Sequence, residues 1–499
     1  MAYFMGIDIG GTVVKAAIYD MDGKEVSVHG EKIKVLTPDH GMTERDMNEV
    51  RENTFRAIRT AVEKSGIADP SEIKGIGMTG QGNGAYMVDA DGEPVWNGVM
   101  SSDARAKDYI KKWTSDGTYE RIFPKIRNLM WTGQTSPIIA WFKDNHPEVL
   151  DKAKYVGSVK DYVRYLLTDV FCCEITEASS WDVVDMATAQ YADDLFEELG
   201  IAEYKHIFPP IIDSCEAGGT VTAKAAELTG LAEGTPVVGG LFDISASILS
   251  AGVVKENQLG IIVGSWGINS ILKKELVDDP KLFMQYFYGL PGVLSFMEGS
   301  STSASNQEWF IDVNMERTDD IYARCGDMVA ETPYKDTVFF LPFIYATNVN
   351  IDAKAAFIGL QGEHTQAHMM RALFEGVVFC HRMHIERLLP YCENPSVVRM
   401  AGGATRSKIW MQMFADILGL KVEISEAEEL GAMGAALCAG VQAGAFSDLA
   451  SAAEKWVKIR AVYEPDMEKH AYYQKKYAAY CAIIDAMDPV WGQIEELKK

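Results

Sequence analysis

Apolar and polar positions along the first thirty residues form short β-rich runs separated by turns. Residues 3–9 are mostly apolar, a glycine-rich turn follows at residues 10–12, and residues 13–19 are again mostly apolar. Asp22-Gly23 is then a strong hairpin signal before the next short run. The pattern predicts antiparallel strands joined by tight turns.

A helical pattern comes next, because apolar side chains recur at helical spacing over residues 47–61. Thr43 and Asp46 resemble a capping box at its start, and Gly66 suits the position just after its end. Later segments of regular pattern are a strand at 73–79, a hairpin turn at Asp91-Gly92, a helix at 366–389, a strand–turn–helix at 397–418 and a polar helical tail from about Met467.

A motif near the start of the chain recurs about half a chain later. Gly6-Ile-Asp-Ile-Gly-Gly-Thr returns as Gly260-Ile-Ile-Val-Gly-Ser-Trp, and each copy is followed by a β-rich run. Two copies of one strand–turn–strand unit favour two similar α/β domains. The alternative is that short glycine-bounded strands recur by chance.

Composition excludes some classes of function. The 71 acidic residues against 47 basic ones give a net charge of −24, which disfavours binding to nucleic acid or to an anionic membrane. Eight cysteines without a C-x-x-C motif are too sparse for a disulfide framework. The start of the chain lacks the features of a signal peptide, and no run of 18 uncharged apolar residues occurs. We therefore expect a reduced, cytoplasmic protein that does not span a membrane.

The first candidate for chemistry is the turn that follows Asp8. A carboxylate within an apolar strand needs a partner, and Mg²⁺, which keeps waters and takes one or two carboxylates besides phosphates, would supply one. Gly10 and Gly11 let backbone N–H groups approach a phosphate, while Thr12 and Lys15 add a hydroxyl and a charge. The alternative is an ordinary hairpin in which the carboxylate bonds only to backbone. No Walker A motif is present.

Two further glycine turns could hold phosphate or nucleotide. Gly264 and Ser265, in the second copy of the motif, form a candidate phosphate turn without a carboxylate. Gly402 and Gly403 lie where a strand passes into a helix, which lets a nucleotide lie against backbone and a helix N-terminus. The alternative at this second turn is tight packing only.

Asp243 is the candidate catalytic group. An apolar strand runs into Gly239-Gly240, and the acid stands at the entry of a predicted helix over residues 244–251. One interpretation is an N-cap aspartate. The other is a general base that accepts a hydroxyl proton during phosphoryl transfer.

Short motifs follow one another in a fixed order over nearly the whole chain. Besides the two glycine hairpins, they are Gly80-Gln-Gly-Asn-Gly84, Ser101-Ser-Asp-Ala-Arg105, Lys160-Asp-Tyr162, Gly239-Gly-Leu-Phe-Asp243, Leu341-Pro-Phe and Gly402-Gly. Together they resemble the FGGY carbohydrate kinases of the actin/Hsp70/sugar-kinase ATPase superfamily. The resemblance implies an α/β fold in which two RNase H-like domains flank a catalytic cleft. We place an N-terminal domain at residues 1–253 and a C-terminal, nucleotide-binding domain with a helical tail at 254–499.

The resemblance also implies roles for single residues, with ATP and Mg²⁺ as cofactors. Asp243 matches the catalytic base of the family, and Asp8 matches the aspartate that supports the magnesium. The other matches are Gly10, Gly11 and Thr12 in the first phosphate turn, Lys15 beside the phosphates, Gly264 and Ser265 in the second phosphate loop, Gly402 and Gly403 in the adenosine loop, Gln81 and Asn83 on the substrate loop, and Asp103 at another sugar-side position.

The sequence of the substrate loop indicates which sugar the protein would bind. It reads Gln81-Gly-Asn-Gly84, whereas D-xylulose kinases usually carry Gln-Met-His-Gly, and the Arg-Glu pair of glycerol kinases is absent. The pattern is most similar to the L-xylulose kinase branch. The expected function is ATP-dependent phosphorylation of a ketopentose-like sugar, with L-xylulose first. Alternatives are D-xylulose, ribulose, erythritol or glycerol as substrate, or a non-catalytic sensor of the same fold. The expected partners are sugar and ATP, without nucleic acid or membrane, and a homodimer is left open.

Overall fold

The computed structural model describes residues 2–345, 347, 350 and 352–497. The chain folds as two compact units, each built from three stretches of sequence. The first unit comprises Met1–Val254, Lys273–Ser295 and Ala427–Val457, and the second comprises Lys255–Leu272, Phe296–Glu426 and Lys458–Lys499. Among the described residues, no helix combines the length and the apolar character that crossing a membrane requires.

The first unit is a mixed α/β structure. Its strands are β1 (Tyr3–Ile9), β2 (Val13–Asp20), β3 (Glu25–Lys32), β4 (Glu44–Arg45), β5 (Ile73–Gly80), β6 (Tyr86–Val88), β7 (Gly98–Val99), β8 (Tyr155–Gly157), β9 (Cys173–Glu174), β10 (Val184–Asp185), β11 (Gln190–Tyr191), β12 (Ile211–Ile212), β13 (Ala217–Thr220), β14 (Pro236–Val238), β15 (Leu241–Phe242) and β18 (Met284–Phe287). Its helices are α1 (Met47–Ser65), α2 (Lys107–Ser115), α3 (Thr118–Ile126), α4 (Thr135–Asn145), α5 (Pro147–Lys152), α6 (Val159–Thr168), α7 (Ile175–Ala178), α8 (Asp193–Glu198), α9 (Ala223–Thr229), α10 (Asp243–Ser250), α15 (Leu430–Gln442) and α16 (Leu449–Trp456).

The central sheet of the first unit has the strand order β13-β14-β5-β1-β2-β3, and β15 also pairs with β5. Strands β1, β2 and β3 are antiparallel, as the sequence pattern predicts, whereas β5 runs parallel to β1. The side chains of β1 and β5 are almost entirely buried, which is typical of the centre of a sheet covered on both faces. One hydrophobic core lies against this sheet, and a second lies among the helices between residues 85 and 211.

A break in one strand directs the chain into α10. Strand β14 pairs with β5 at Val237, the chain then passes through two glycines, and β15 resumes pairing with β5 at Leu241. Gly240 has φ = 80°, and a Cβ there would lie 1.8 Å from the carbonyl oxygen of Met78. Only glycine fits this position, so the residue pair acts as a kink that sends the next residues toward the end of the sheet.

Helix α15 completes the first unit although it comes late in the chain. It packs against β1, β5 and α10, and ten of its residues are buried. The approach to the sheet is so close that a Cβ on Gly6 would lie 1.7 Å from the carbonyl oxygen of Ala432. The amino end of α15 therefore lies directly over β1.

The second unit repeats the same hairpin. Its strands are β16 (Gln258–Val263), β17 (Gly267–Lys273), β19 (Leu294–Ser300), β20 (Phe339–Leu341), β21 (Ala356–Ile358), β22 (Val397–Ala401), β23 (Val422–Ser425) and β24 (Ile459–Tyr463). Its helices are α11 (Ser305–Asn314), α12 (Ile321–Glu331), α13 (Gln366–Leu388), α14 (Lys408–Leu418) and α17 (Met467–Glu496). The strand order is β19-β17-β16-β22-β23-β24, in which β16 is antiparallel to β17 and parallel to β22. In the same way β1 is antiparallel to β2 and parallel to β5. The recurring sequence motif is therefore confirmed as a structural repeat.

The long helices follow the sequence prediction closely, with one difference in capping. Asp46 caps α1 by accepting a hydrogen bond from Asn48 N, and Gly66 ends the helix in the left-handed conformation with φ = 67°. Thr43 takes no part in the cap, because its hydroxyl is bonded to Ser102 Oγ. The predicted capping box is therefore wrong: a single aspartate caps the helix.

Candidate active site

The β1–β2 hairpin of the first unit presents its turn to solvent. Gly11 and Thr12 are exposed, and Gly10 N donates to Val13 O at 3.0 Å, which closes the turn. Asp8 lies opposite Lys15 in the pairing of the two strands. Lys15 forms an ion pair with Glu429, in which Nζ contacts the two carboxylate oxygens at 2.7 and 3.0 Å. The predicted turn is thus present, with its lysine held by an acid at the start of α15, and its role in binding phosphate stays a prediction.

Asp8 stands against the amino end of α15. A Cβ on Gly431, in the first turn of that helix, would lie 2.3 Å from Asp8 Oδ2. Burial raises the pKa of Asp8 to about 6; Lys15 lowers it and the charge of Glu429 raises it. Burial thus disfavours the charged form of Asp8, and a positive charge nearby would favour it.

Asp243 is the first residue of α10, immediately after β15. Its Oδ1 accepts a hydrogen bond from Ile244 N at 2.8 Å, so part of its bonding capacity serves the helix start. Burial raises its pKa to about 7, and the charge of Asp8 adds to the rise. The structure therefore places Asp8 and Asp243 within electrostatic reach of each other, at the same end of the central sheet.

A buried relay of polar groups holds the backbone just before Asp243. Phe242 N donates to Thr176 Oγ1 at 2.8 Å, and that hydroxyl donates to Glu174 Oε2 at 2.6 Å. The same carboxylate oxygen accepts from Lys160 Nζ at 3.2 Å, and both charged side chains are fully buried. Removing Lys160 would leave the buried Glu174 carboxylate without its cation, so the relay depends on this pair. The relay thus connects the Lys160-Asp-Tyr162 motif to the Gly239-Gly-Leu-Phe-Asp243 motif.

The predicted substrate loop follows β5 and is tied down at both ends. Gln81 accepts from Arg45 Nη2 at 2.5 Å and donates through Nε2 to Ser101 Oγ at 2.6 Å. Asn83 has φ = 61°, and its backbone N–H donates to Glu177 Oε1 at 2.5 Å. Asn83 is buried, and its Oδ1 accepts from Ser180 Oγ at 3.2 Å, so side-chain contacts hold the loop at both Gln81 and Asn83.

Glu177 is a buried acid that sequence reasoning missed. Its Oε2 has no hydrogen-bond partner among the described residues, while Oε1 also accepts from Trp181 Nε1 at 3.3 Å. Burial raises its pKa to about 8; Lys160 and the Asn83 N–H act against the rise, and Asp243 adds to it. Nothing in the Thr176-Glu177-Ala178 sequence signals this, because the feature arises from tertiary packing.

Asp103, predicted on the sugar side, is fully buried and has its oxygens occupied. Oδ1 accepts from the backbone N–H and from Nε of Arg105, and Oδ2 accepts from Arg105 Nη2 and from Thr43 N. Four hydrogen bonds fill the acceptor sites of a carboxylate. Asp103 is therefore placed to support its segment, which also carries Ser101.

The remaining predicted residues lie in the second unit. Gly264 N donates to Trp266 O at 3.1 Å, so Gly264 and Ser265 form the turn of the β16–β17 hairpin. Ser305 Oγ donates to Ser265 O at 3.1 Å, which braces the turn. Gly402 and Gly403 connect β22 to a short 3₁₀ turn before α14. The predicted residues thus form two groups, one in each unit.

The donor set near Asp8 suits a metal ion that keeps most of its own ligands. Among residues 2–345, 347, 350 and 352–497, no group of three or more His, Cys, Asp or Glu side chains is arranged to hold a metal. Mg²⁺ takes only one or two carboxylates when waters and phosphate oxygens complete its shell, and Asp8 and Asp243 are the acids at this end of the sheet that could serve.

Comparison with known proteins matches both halves of the chain to one family. The model of the FGGY family of carbohydrate kinases, N-terminal domain, matches residues 3–250, and the C-terminal domain of the same family matches residues 259–443. An L-xylulose/3-keto-L-gulonate kinase of Escherichia coli is 36% identical over 99% of both chains. A probable L-xylulose kinase of Pasteurella multocida is 37% identical over 98% of this chain and 99% of the relative.

Solved structures support the fold in the same way. The xylulose kinase from Rhodospirillum rubrum has a TM-score of 0.88 at 25% identity, and the match covers 98% of this chain and all of that one. With the family matched over most of both halves, the chain belongs to the FGGY carbohydrate kinases, enzymes that transfer a phosphoryl group from ATP to a sugar hydroxyl.

Proposed function

We propose that this kinase phosphorylates a hydroxyl of a ketopentose-like sugar, with L-xylulose as the preferred substrate. The observation that carries the proposal is the hydrogen-bonded loop at Gln81 and Asn83, which follows the strand next to Asp8 and Asp243. Full-length similarity to proteins named L-xylulose kinase supports the choice of sugar.

Asp243 acts as the general base in this proposal. Its carboxylate accepts the proton of the attacking hydroxyl, and the buried relay behind Phe242 keeps it in place. The protein takes little part in the covalent chemistry of phosphoryl transfer. Positioning the hydroxyl beside its base and in line with the phosphoryl group therefore accounts for much of the catalysis.

The metal and the phosphates engage residues at the glycine turns. Mg²⁺, when bound, supplies positive charge to the phosphates, and Asp8 would hold it through its waters. The backbone N–H groups of Gly11, Thr12 and Ser265 would bind phosphate oxygens, since those of Gly10 and Gly264 close their own turns, and Gly402 and Gly403 would lie along the adenosine. In this arrangement residues 1–253 carry the sugar site and the base, and residues 254–499 carry most of the nucleotide site.

A non-catalytic sensor is the second candidate, and the raised pKa values of Asp8 and Asp243 disfavour it. A sensor has no need of a half-buried carboxylate at the head of α10 with a pKa of about 7. A coupled assay of ADP release with sugar and MgATP separates the two candidates directly.

The choice of sugar is tested by a panel of acceptors. We expect kcat/KM for L-xylulose to exceed that for D-xylulose by about tenfold or more, or about 1.4 kcal/mol, because a wrong stereoisomer leaves polar groups of the sugar site unpaired. The measurement is kcat/KM for L-xylulose, D-xylulose, L-ribulose, D-ribulose, erythritol and glycerol. Another acceptor ranking first would contradict the sugar and leave the kinase assignment standing.

The pH profile of the reaction tests the base. Because the pKa of Asp243 is raised to about 7, the base is protonated below that pH and cannot accept a proton. We expect kcat/KM for the sugar to fall about tenfold per pH unit on the acid side and to be level above about pH 7. A profile that stays level down to about pH 5 would argue against a base with this pKa.

A further inference from the structure

Arg45 is a buried cation at the junction of two functional segments. It lies in β4, opposite Gly98 of β7, and its side chain is 0% exposed. Its Nη2 donates to Gly11 O at 2.9 Å and to Gln81 Oε1 at 2.5 Å. One guanidinium nitrogen thus joins the first phosphate turn to the substrate loop.

No carboxylate neutralises this guanidinium among the described residues. Nε and Nη1 have no hydrogen-bond partner, and the neighbouring acids are already engaged. Glu44 and Asp103 each bind Arg105 instead, at 2.6 and 2.9 Å. Arginine does not lose its proton in proteins, so a full positive charge is buried here without a counter-ion.

An unneutralised buried charge is costly, and it persists where a ligand of opposite charge compensates it. Both groups that Nη2 contacts are neutral oxygens, so the contacts direct the side chain without cancelling its charge. In a poorly hydrated site such a charge acts over several ångströms without direct contact. Gly11, whose carbonyl oxygen Arg45 contacts, lies in the exposed turn where the proposed function has phosphate oxygens bind.

The contact with Gln81 has a second effect. Because Oε1 faces Arg45, Nε2 faces Ser101, and the amide cannot rotate without breaking both hydrogen bonds. Gln81 therefore keeps one orientation, with an N–H left to offer to a substrate oxygen.

We propose that Arg45 is a positioning residue that ties the sugar-binding Gln81 to the phosphate turn and keeps an unneutralised positive charge beside the phosphoryl group in transit. The inference rests on the proposed function, because it needs phosphate to bind at residues 10–12. The inference adds a third positive charge to those of Lys15 and the metal. This charge stabilises the site most in the transition state, when negative charge spreads over the transferred phosphoryl group.

Three variants test the charge and the tether separately. Arg45→Gln removes the positive charge. Arg45→Lys keeps the charge but weakens the hydrogen bonds to Gly11 and Gln81. Gln81→Glu leaves Arg45 in place and neutralises its charge with a carboxylate. Arg56→Gln, an exposed arginine on α1 paired with Glu31, is the matched control. The readouts are kcat with saturating sugar, the slow ATP hydrolysis without sugar, KM for ATP and the thermal midpoint.

We expect Arg45→Gln to lower kcat about 100-fold and to lower sugar-independent hydrolysis as well, with KM for ATP changed far less. Arg45→Lys should recover at least about tenfold of that loss because the charge remains. Gln81→Glu should raise the thermal midpoint, since the guanidinium gains a carboxylate partner, and still lower both rates. Loss of hydrolysis is the readout that a merely structural tether would not move.

The proposal is overturned if Gln81→Glu keeps wild-type hydrolysis, or if Arg45→Lys and Arg45→Gln lose the same activity. The Gln81→Glu variant keeps the test valid even if changes at Arg45 prevent folding. Failure of the proposed function looks different: the wild-type protein and Arg56→Gln would then phosphorylate no acceptor on the panel.

Discussion

Asp243→Asn is expected to lower kcat by about 10²–10⁴-fold, the usual contribution of a general base, or about 3–5 kcal/mol in the barrier. The amide keeps the shape of the side chain and can still accept the hydrogen bond from Ile244 N at the start of α10. It cannot take the hydroxyl proton. Because the loss belongs to the transition state, KM for ATP should change by less than about threefold.

Asp193→Asn is the matched control for this experiment. Asp193 is also the first residue of a helix in the same unit, α8, but it is exposed and paired with Lys205. We expect its kcat to remain at the wild-type level. If Asp243→Asn kept more than about a tenth of wild-type kcat, Asp243 would be a helix-start residue and not the base.

Asp8→Asn is expected to raise the Mg²⁺ concentration for half-maximal activity by about 10–100-fold, the scale on which metal sites respond to loss of a supporting group. Asparagine has the size of aspartate, so it keeps the packing of this position against Gly431, but it lacks the negative charge. Sugar binding should change little, because Gln81 and Asn83 are held by other partners. The measurement is a Mg²⁺ titration of initial rate at fixed ATP and sugar.

The control for Asp8 lies in the same hairpin. Asp20, at the far end of β2, accepts from the N–H groups of Asp22 and Lys24 in the turn, and an asparagine there can do the same. Asp20→Asn should leave the Mg²⁺ titration unchanged. Superimposable titrations for Asp8→Asn and wild type would leave Asp8 with a structural role only.

Local patterns predicted those parts of the fold whose cause is local. The hairpins at residues 10–12 and 264–266 follow from glycine turns between apolar strands, and both are present. The position of Asp243 at a helix start followed from the Gly-Gly break before it, and the structure shows the break at Gly240.

The features that could not be predicted depend on burial and on contacts distant in sequence. Arg45 and Glu177 matter because the folded chain buries them with unpaired atoms, which no spacing reveals. Glu429 meets Lys15 across a separation of 414 residues. Thr43 misled the capping prediction because Ser102, an unforeseen neighbour, takes its hydroxyl.

Helix α15 has a consequence for synthesis of the protein on the ribosome. The strands β1 and β5 leave the ribosome early, but the helix that covers them and meets Asp8 is made only when residues 430–442 have been translated. Until then a nascent chain carries an apolar sheet face without its cover, and such a surface is prone to aggregation and is a natural site for chaperone binding. Contacts of this sequence separation also slow folding, so the first unit reaches its final form late, although its sequence comes first.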